Sequence, residues 1–417
     1  MRATSLLLGW SVITAAPLAA QARDSASLLA QARRIHREVP VIDTHNDLPE
    51  MIRQRAGSDL VKMDPEKRLE NIDTDLPRLK EGGIGGQFWA AYVPSSYMGF
   101  GAARYALEQI DLIHRMIERS PSLGYATTAA DVVRLHRQGK IASLIGIEGG
   151  HAIENSLGVL RKFYDLGVRY ITLTHSGTTP WADAATDAAK HGGLSRFGEE
   201  VVREMNRLGI MVDISHVSDA TMIDALRVTQ APVIYSHSSA RALANHVRNV
   251  PDSILRMIPR NGGVVMVNIF PGFINQTAAR QTALVLDKER EFKAQHPNDP
   301  EAATKAFLAW LQNLRMEPGT LSQVADHVDH IRKTAGIDHV GLGADFGTLT
   351  THPKGFEDVS RYPYLTAELL RRRYTEAEVK KLLSSNLLRV MGRVEEVAAR
   401  LRRERQPSVV RMEDAKE

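Results

Sequence analysis

Residues 210–237 read IMVDISHVSDATMIDALRVTQAPVIYSH, and the fold of the whole chain follows from how this stretch is divided. Ile210–Ser215 and Pro232–Ser236 are short runs dense in Val and Ile that barely alternate with polar residues. Such runs mark strands of a parallel sheet buried on both faces. An amphipathic stretch of helical character separates them. Each run closes on a histidine, His216 and His237. The two lie 21 residues apart, one strand–helix–strand step. That step places them on adjacent strands about 5 Å apart, within reach of one shared metal ion.

Working outward, the same unit recurs along the chain. Val39–Asp43, Ile84–Val93, Ile141–Glu148, Val168–Thr174, Gly263–Asn268 and His339–Gly343 join the two runs above to make eight. Amphipathic segments such as Phe197–Leu208, stopped by Gly209, lie between them. A strand–helix unit repeated eight times predicts an α/β fold, a (β/α)8 TIM-like barrel. A doubly wound open sheet gives a similar alternation. One domain is expected over residues 23–401, carrying helical insertions at 94–140 and 270–336, the second covering the site. From Thr375 the chain is strongly helical, with Thr375 and Glu378 in a capping-box pattern. Residues 402–417 form a charged C-terminal tail.

The ends and the composition narrow the class. Residues 1–22 read as a secretory signal peptide: Arg2, an apolar run from Leu6 to Ala19, then Ala20-Gln21-Ala22 as a cleavage site. The expected destination is a periplasm or the medium. Lys and Arg number 53 against 49 Asp and Glu, so the net charge of +4 is too small and dispersed to predict a nucleic-acid partner. The chain has no cysteine, which excludes disulfides, Cys nucleophiles and Cys-ligated metals. The charged stretch after Leu401 offers no lipid-anchor signal, so no stable membrane anchor is expected.

Reactive groups in such barrels gather where the strands end. His45 and Asp47 follow the first run in VIDTHNDLP, Glu148 ends the third, and His175 the fourth. His216, His237 and Asp345 end the fifth, sixth and eighth. The His45-x-Asp47 spacing lets both side chains of an extended segment face one ion. Glu148 has two oxygens and could bridge two cations about 3.5–4 Å apart. Imidazoles and carboxylates without thiolate suit zinc, and also manganese or cobalt. Any single strand-end His or Glu has a plain alternative as a structural hydrogen-bond partner or helix cap; the joint placement favours a metal centre. His151, His191, His246 and His352 lack strand-end placement and read as structural or surface residues.

Several segments then resemble one family. VIDTHNDLP, GGIGGQFWAAYVP, IGIEGGHAI, LTHSGTTPWAD, GLSRFGEEVVREMNRLGIMVDISHVSD, SHSSARAL, RNVPD and LSQVADHVDHI are similar, in order and spacing, to the membrane (renal) dipeptidase family of zinc peptidases. The resemblance runs from about residue 36 to 395 and implies two Zn2+ per subunit in a (β/α)8 barrel. It implies that His45 and Asp47 hold one ion, His216 and His237 the other, and Glu148 both. It further implies that Asp345 moves the proton, that His175 stabilises the oxyanion, and that Arg248 in RNVPD holds the substrate's terminal carboxylate. The implied substrate is a small unblocked dipeptide, with a D-residue tolerated on the C-terminal side, and the implied assembly a homodimer.

The chain also departs from the family. After the eighth run the usual D-F-D-G is Asp345-Phe346-Gly347-Thr348 here, with one carboxylate fewer beside Asp345. Gly177 and Thr178 replace a polar pair after His175. Two other functions fit the same scaffold: a barrel amidohydrolase acting on N-acyl amino acids, and a catalytically dead binding protein.

Overall fold

A computed structural model describes residues 16–415 of the chain. Of the expected leader, residues 1–15 lie outside the described residues, and its remainder opens the helix Ala16–Glu38. Nine parallel strands follow: β1 Val41–Asn46, β2 Ile84–Tyr92, β3 Leu123–Tyr125, β4 Ile141–Glu148, β5 Val168–Thr172, β6 Met211–Asp213, β7 Ile234–Tyr235, β8 Val264–Val267 and β9 Val340–Leu342.

Eight of them close a barrel. The circuit runs β1–β2–β4–β5–β6–β7–β8–β9 and returns to β1 through Asp43 opposite Leu342. This is the (β/α)8 architecture expected from the apolar runs, and each run maps to one barrel strand. The ninth, β3, lies inside the 94–140 insertion and pairs with the first three residues of β4, outside the circuit. The rest of that insertion is helical, Ala102–Arg119 and Ala129–Arg137. Several strands are shorter than their apolar runs: β5 stops at Thr172 and β6 at Asp213.

The strands are buried almost throughout between two apolar clusters: one packs against the surrounding helices, and the other joins Ile42, Phe88, Leu144, Tyr170 and Met266 to the C-terminal helix. Ser195 caps the helix Arg196–Leu208, and Gly209 ends it in the left-handed region at φ 95°. The expected capping box is present at Thr375 and Glu378. The C-terminal helix does not run unbroken: a π-helical turn, Lys381–Ser385, joins Glu376–Lys380 to Asn386–Glu404. Asn386 there donates to the carbonyls of Ile337 and Val340 at 2.7 and 2.9 Å, tying the helix to β9. Part of the charged tail packs down as well, with Ser408 Oγ donating to Glu200 at 3.1 Å. Residues 270–336 carry helices Pro271–Ile274, Gln276–Gln295, Pro300–Leu311 and Leu321–Ala335; from this insertion Phe270 and Phe273 reach the cavity at the strand ends. Among the described residues no helix is long and apolar enough to cross a membrane.

Candidate metal centre

Every strand-end residue singled out above converges on one place. His45 sits within β1, while Asp47 has already left the extended chain to become the N-cap of the helix Leu48–Ala56. The two side chains still meet, with His45 Nε2 3.5 Å from Asp47 Oδ1. Glu148 ends β4 and splits its carboxylate between two groups. Its Oε1 lies 2.9 Å from His216 Nε2 and 3.2 Å from His237 Nε2, and its Oε2 lies 3.6 Å from His45 Nε2. The paired register of β6 and β7 brings His216 and His237 together, their Nε2 atoms 2.8 Å apart. Asp345 Oδ1 stands 3.7 Å from His45 Nε2.

These separations resemble those of donors around a single ion. Ligand atoms about 2.0–2.1 Å from a tetrahedral zinc lie roughly 3.3 Å from one another. Among the described residues three groups bring their donor atoms within 4.8 Å of one another: His45, Asp47 and Glu148; Glu148, His216 and His237; and His45, His237 and Asp345. The buried atoms His45 Nε2 and Asp47 Oδ1 have no hydrogen-bond partner. A buried polar atom without a partner costs about 1–3 kcal/mol, and a cation between these two would satisfy both.

The electrostatics agree. Burial and the neighbouring carboxylates raise Glu148 and Asp345 above the usual carboxylate range, against the pull of His45. Burial opposes the charged form of His45 too, but Glu148, Asp47 and Asp345 outweigh it and push its pKa to about 10. Burial holds His216 and His237 far below the usual imidazole value, which keeps their lone pairs free. Three carboxylates meet here, and His216 and His237 bring no positive charge to balance them.

Groups behind the donors fix their orientation. Ser236 Oγ donates to Asp213 Oδ2 at 2.6 Å and lies 2.8 Å from His237 Nδ1. With its one proton committed to Asp213, Ser236 accepts from Nδ1–H and leaves Nε2 as the donor to an ion. Asp213 also accepts from Thr172 Oγ1 at 2.5 Å, Ser236 N at 2.8 Å and Ser215 N at 3.1 Å. His45 Nδ1 meets the Tyr170 hydroxyl at 3.0 Å. Room for Tyr170 comes from Gly146 in β4, where a Cβ would fall 2.0 Å from the ring. His216 and Asp345 both have φ in the left-handed region, 64° and 71°, a strained backbone for residues other than glycine. The His216 carbonyl is held by Ala185 N at 2.7 Å and Thr174 Oγ1 at 3.1 Å, and Asn268 Nδ2 donates to Asp345 at 2.9 Å.

This fold and donor set can be compared with known proteins. The family model described as membrane dipeptidase (Peptidase family M19) matches residues 29–405. The chain belongs to the membrane dipeptidase family. It is accordingly a metallo-dipeptidase, a hydrolase acting on peptide bonds. Dipeptidase 3 of Mus musculus is 41% identical over 378 residues, covering 89% of this chain and 67% of the mouse protein. Dipeptidase verJ of Clonostachys rogersoniana is 40% identical over 386 residues, covering 90% and 89%. Among solved structures, a metallo peptidase from Rhodobacter sphaeroides, liganded with a phosphinate mimic of the dipeptide L-Ala-D-Ala, superposes with a TM-score of 0.69. That chain is 26% identical, and the match covers 85% of this chain and 99% of its own.

In this membrane dipeptidase the donors open onto a cavity of about 410 Å3, lined by both charged and apolar groups. Arg248 enters it from the loop after β7, buried, with its guanidinium 5.2 Å from the Phe273 ring centre. Its contacts are long and neutral, Ser238 Oγ at 3.5 Å and the His237 carbonyl at 3.4 Å, and its Nε has no partner. Burial lowers its pKa to about 10, still fully cationic near neutrality. His175 packs edge-on against Tyr92 and lies 3.9 Å from Glu148. Burial, then Arg248, lowers its pKa to about 3, so it is a neutral ring.

Sequence reasoning missed the supporting groups Asp213, Tyr170, Ser236 and Asn268, and the cavity residues Glu50, Tyr92, Phe270 and Phe273. One signal was available. Asp43 and Asp213 are acids inside apolar strands shortly before a ligand histidine, a costly position unless the acid orients something. Of the histidines set aside, His191 and His352 are structural, bonded to the Thr179 carbonyl and to Asp73. His151 and His246 are buried beside the site, against the Pro94 carbonyl and the Phe273 ring.

Proposed function

We propose that this chain is a binuclear zinc dipeptidase that hydrolyses unblocked dipeptides and accepts a D-residue on the C-terminal side. The observation that carries this reading is Glu148, whose two oxygens face separate donor groups, His216 with His237 and His45 with Asp47. One carboxylate shared by two imidazole-rich groups suits two borderline cations held a few ångströms apart. When bound, such a pair supplies Lewis acidity and lowers the pKa of water toward neutrality.

The protein's own residues supply the rest. Asp345, at the cavity wall with a raised pKa, is suited to take the proton of the attacking water and return it to the departing amine. His175 is neutral and can offer an N–H to the carbonyl oxygen as charge develops there. Arg248 is a buried cation with no carboxylate within ion-pair distance among the described residues, and a substrate carboxylate would complete it. A substrate end held this way limits the peptide to two residues. Acceptance of a D-residue is supported by the similarity to the Rhodobacter sphaeroides peptidase and its L-Ala-D-Ala mimic. The reading includes one catalytic domain over residues 23–401 and export on residues 1–22, for which the apolar run and the Ala20-Gln21-Ala22 site are the support.

The test combines metal analysis with amino-acid release from L-Ala-D-Ala, with and without a chelator, beside the N-acetylated dipeptide. Two zinc ions per chain and chelator-sensitive release from the free dipeptide alone are expected. Cleavage of only the acetylated compound would replace the reading with a deacylase.

A further inference from the structure

The cavity has a second charged end that the proposed chemistry does not use. Glu50 lies in its wall together with Gln54, both on the helix that starts at Asp47. Glu50 is 1% exposed. Its oxygens accept only from neutral groups: the Tyr105 hydroxyl at 3.1 Å, Gln54 Nε2 at 2.8 Å, and Gln109 Nε2. No Lys, Arg or His among the described residues forms an ion pair with it. Arg53, the obvious candidate, instead pairs with Glu108 at 2.7 Å and stacks over the Tyr105 ring at 3.7 Å. A carboxylate removed from water, with no direct ion pair and only a longer-range attraction from Arg53, is expensive, so its retention beside a ligand cavity needs a reason.

The positions of the two charges in the cavity supply one. Arg248 lies in the loop after β7, reaching Ser238 Oγ at 3.5 Å and the His237 carbonyl at 3.4 Å beside the expected donors of that strand. Glu50 instead lies on the helix that follows β1, three residues past Asp47, and lines the same cavity as Tyr92. A dipeptide whose terminal carboxylate meets Arg248 and whose carbonyl lies at the metal donors therefore directs its first residue toward Glu50. Glu50 is three residues past Asp47, about 4.5 Å further along a helix axis. That offset suits the end of a side chain better than the α-ammonium, which adjoins the reacting carbonyl.

We infer that Glu50 selects dipeptides whose first residue has a cationic side chain, such as a lysyl or diamino-acyl group. The inference rests on the dipeptidase reading above. The substrate ammonium displaces the Gln54 amide and forms a charge-assisted hydrogen bond with the Glu50 carboxylate, while Tyr105 and Gln109 hold that carboxylate in place.

The experiment compares kcat/KM for L-Lys-D-Ala, L-norleucyl-D-Ala and L-Ala-D-Ala on the zinc-loaded protein and on its Glu50→Gln and Glu50→Asp variants. Lysyl and norleucyl substrates share the α-ammonium and the chain length, so their ratio isolates the side-chain charge. Wild type is expected to favour the lysyl substrate by about tenfold or more. The ratio falls to near one in Glu50→Gln and stays above that in Glu50→Asp, which retains the charge. Equal rates in wild type, or a lysyl preference that survives Glu50→Gln, would overturn the inference while leaving the dipeptidase reading intact. If none of the three dipeptides is cleaved, both fall together.

Discussion

The two halves of the proposed metal centre use similar donors but are built by different means. His45 and Asp47 come from one continuous segment, two residues apart at the end of β1, so local chain geometry brings them together. His216 and His237 come from two strands and meet only through a network. That network is Asp213, which accepts from Thr172, Ser215 and Ser236, and Ser236 in turn fixes the ring of His237. His216 adds a strained backbone held by its carbonyl contacts. The first half should therefore depend on its own residues, and the second on a buried acid that never touches the ion.

Glu148 belongs to both halves, so its loss should abolish the difference between them. Glu148→Gln is expected to lower kcat/KM for dipeptides by more than about 10³-fold and to weaken both metal sites. Metal analysis of the purified variant checks this; retention of two tightly held ions would show that the halves are independent.

Asp213→Asn should separate the halves. Loss of an outer-shell partner costs about 10–100-fold in metal affinity, here at the His216–His237 side. Titration with a chelating dye should show one ion leaving early and the other at its wild-type concentration. Equal weakening of both would refute the division.

The matching probe of the first half is Thr348→Val. Thr348 Oγ1 donates to Asp47 Oδ2 at 3.1 Å and leaves the orphan Oδ1 facing His45. Gly347 makes this approach possible: at φ 119° its missing Cβ would fall 2.8 Å from Asp47 Cβ. A glycine and a hydroxyl thus buttress the carboxylate of a proposed donor. A loss of several-fold in affinity, confined to one ion and restored by Thr348→Ser, is expected from the same titration.

The scaffold outside the centre provides the smallest effect and a control. His327 Nδ1 accepts from Ala240 N at 3.0 Å and its Nε2 faces the Ile274 carbonyl at 3.2 Å, an arrangement that only the neutral ring satisfies. Burial lowers its pKa to about 4, and that of His36 likewise. The unfolded chain binds these protons near pH 6.5 and the folded chain only near pH 4. Acid therefore favours unfolding, and stability complete above about pH 6.5 is lost as pH falls toward 4. Urea midpoints of metal-free protein at pH 7 and 5 measure this. His36→Gln should flatten the dependence, and an unchanged slope would remove His36 from the account.

The sequence made the barrel legible because strands buried on both faces leave runs of Val and Ile that need no partner to be recognised. It was silent on β3, whose three residues Leu123–Tyr125 carry no such run. All five expected metal donors lie at one site because strand ends are fixed by the fold, and a strand-end histidine is visible once the strand is. The roles of Asp213 and Glu50 were not legible for the same underlying reason. Each is an acid whose meaning depends on what surrounds it: one sits inside a strand, the other in a helix turn where an acid is ordinary. The π-helical turn at Lys381–Ser385 was hidden because its residues, Lys-Leu-Leu-Ser-Ser, include no Gly or Pro to set it apart from the α-helix on either side.

The closure of the barrel through β1 and β9 also sets an order in time. His45 and Asp345 face each other across 300 residues of chain, and their strands pair directly. During synthesis the donors of the first half are made early, yet the wall behind them is supplied only when residues near 342 have emerged. Contacts of such sequence separation form late and slowly. A growing chain thus cannot complete the centre, and a truncated one never does. Hydrolytic competence is withheld until the polypeptide is almost whole, a safeguard supplied by topology alone.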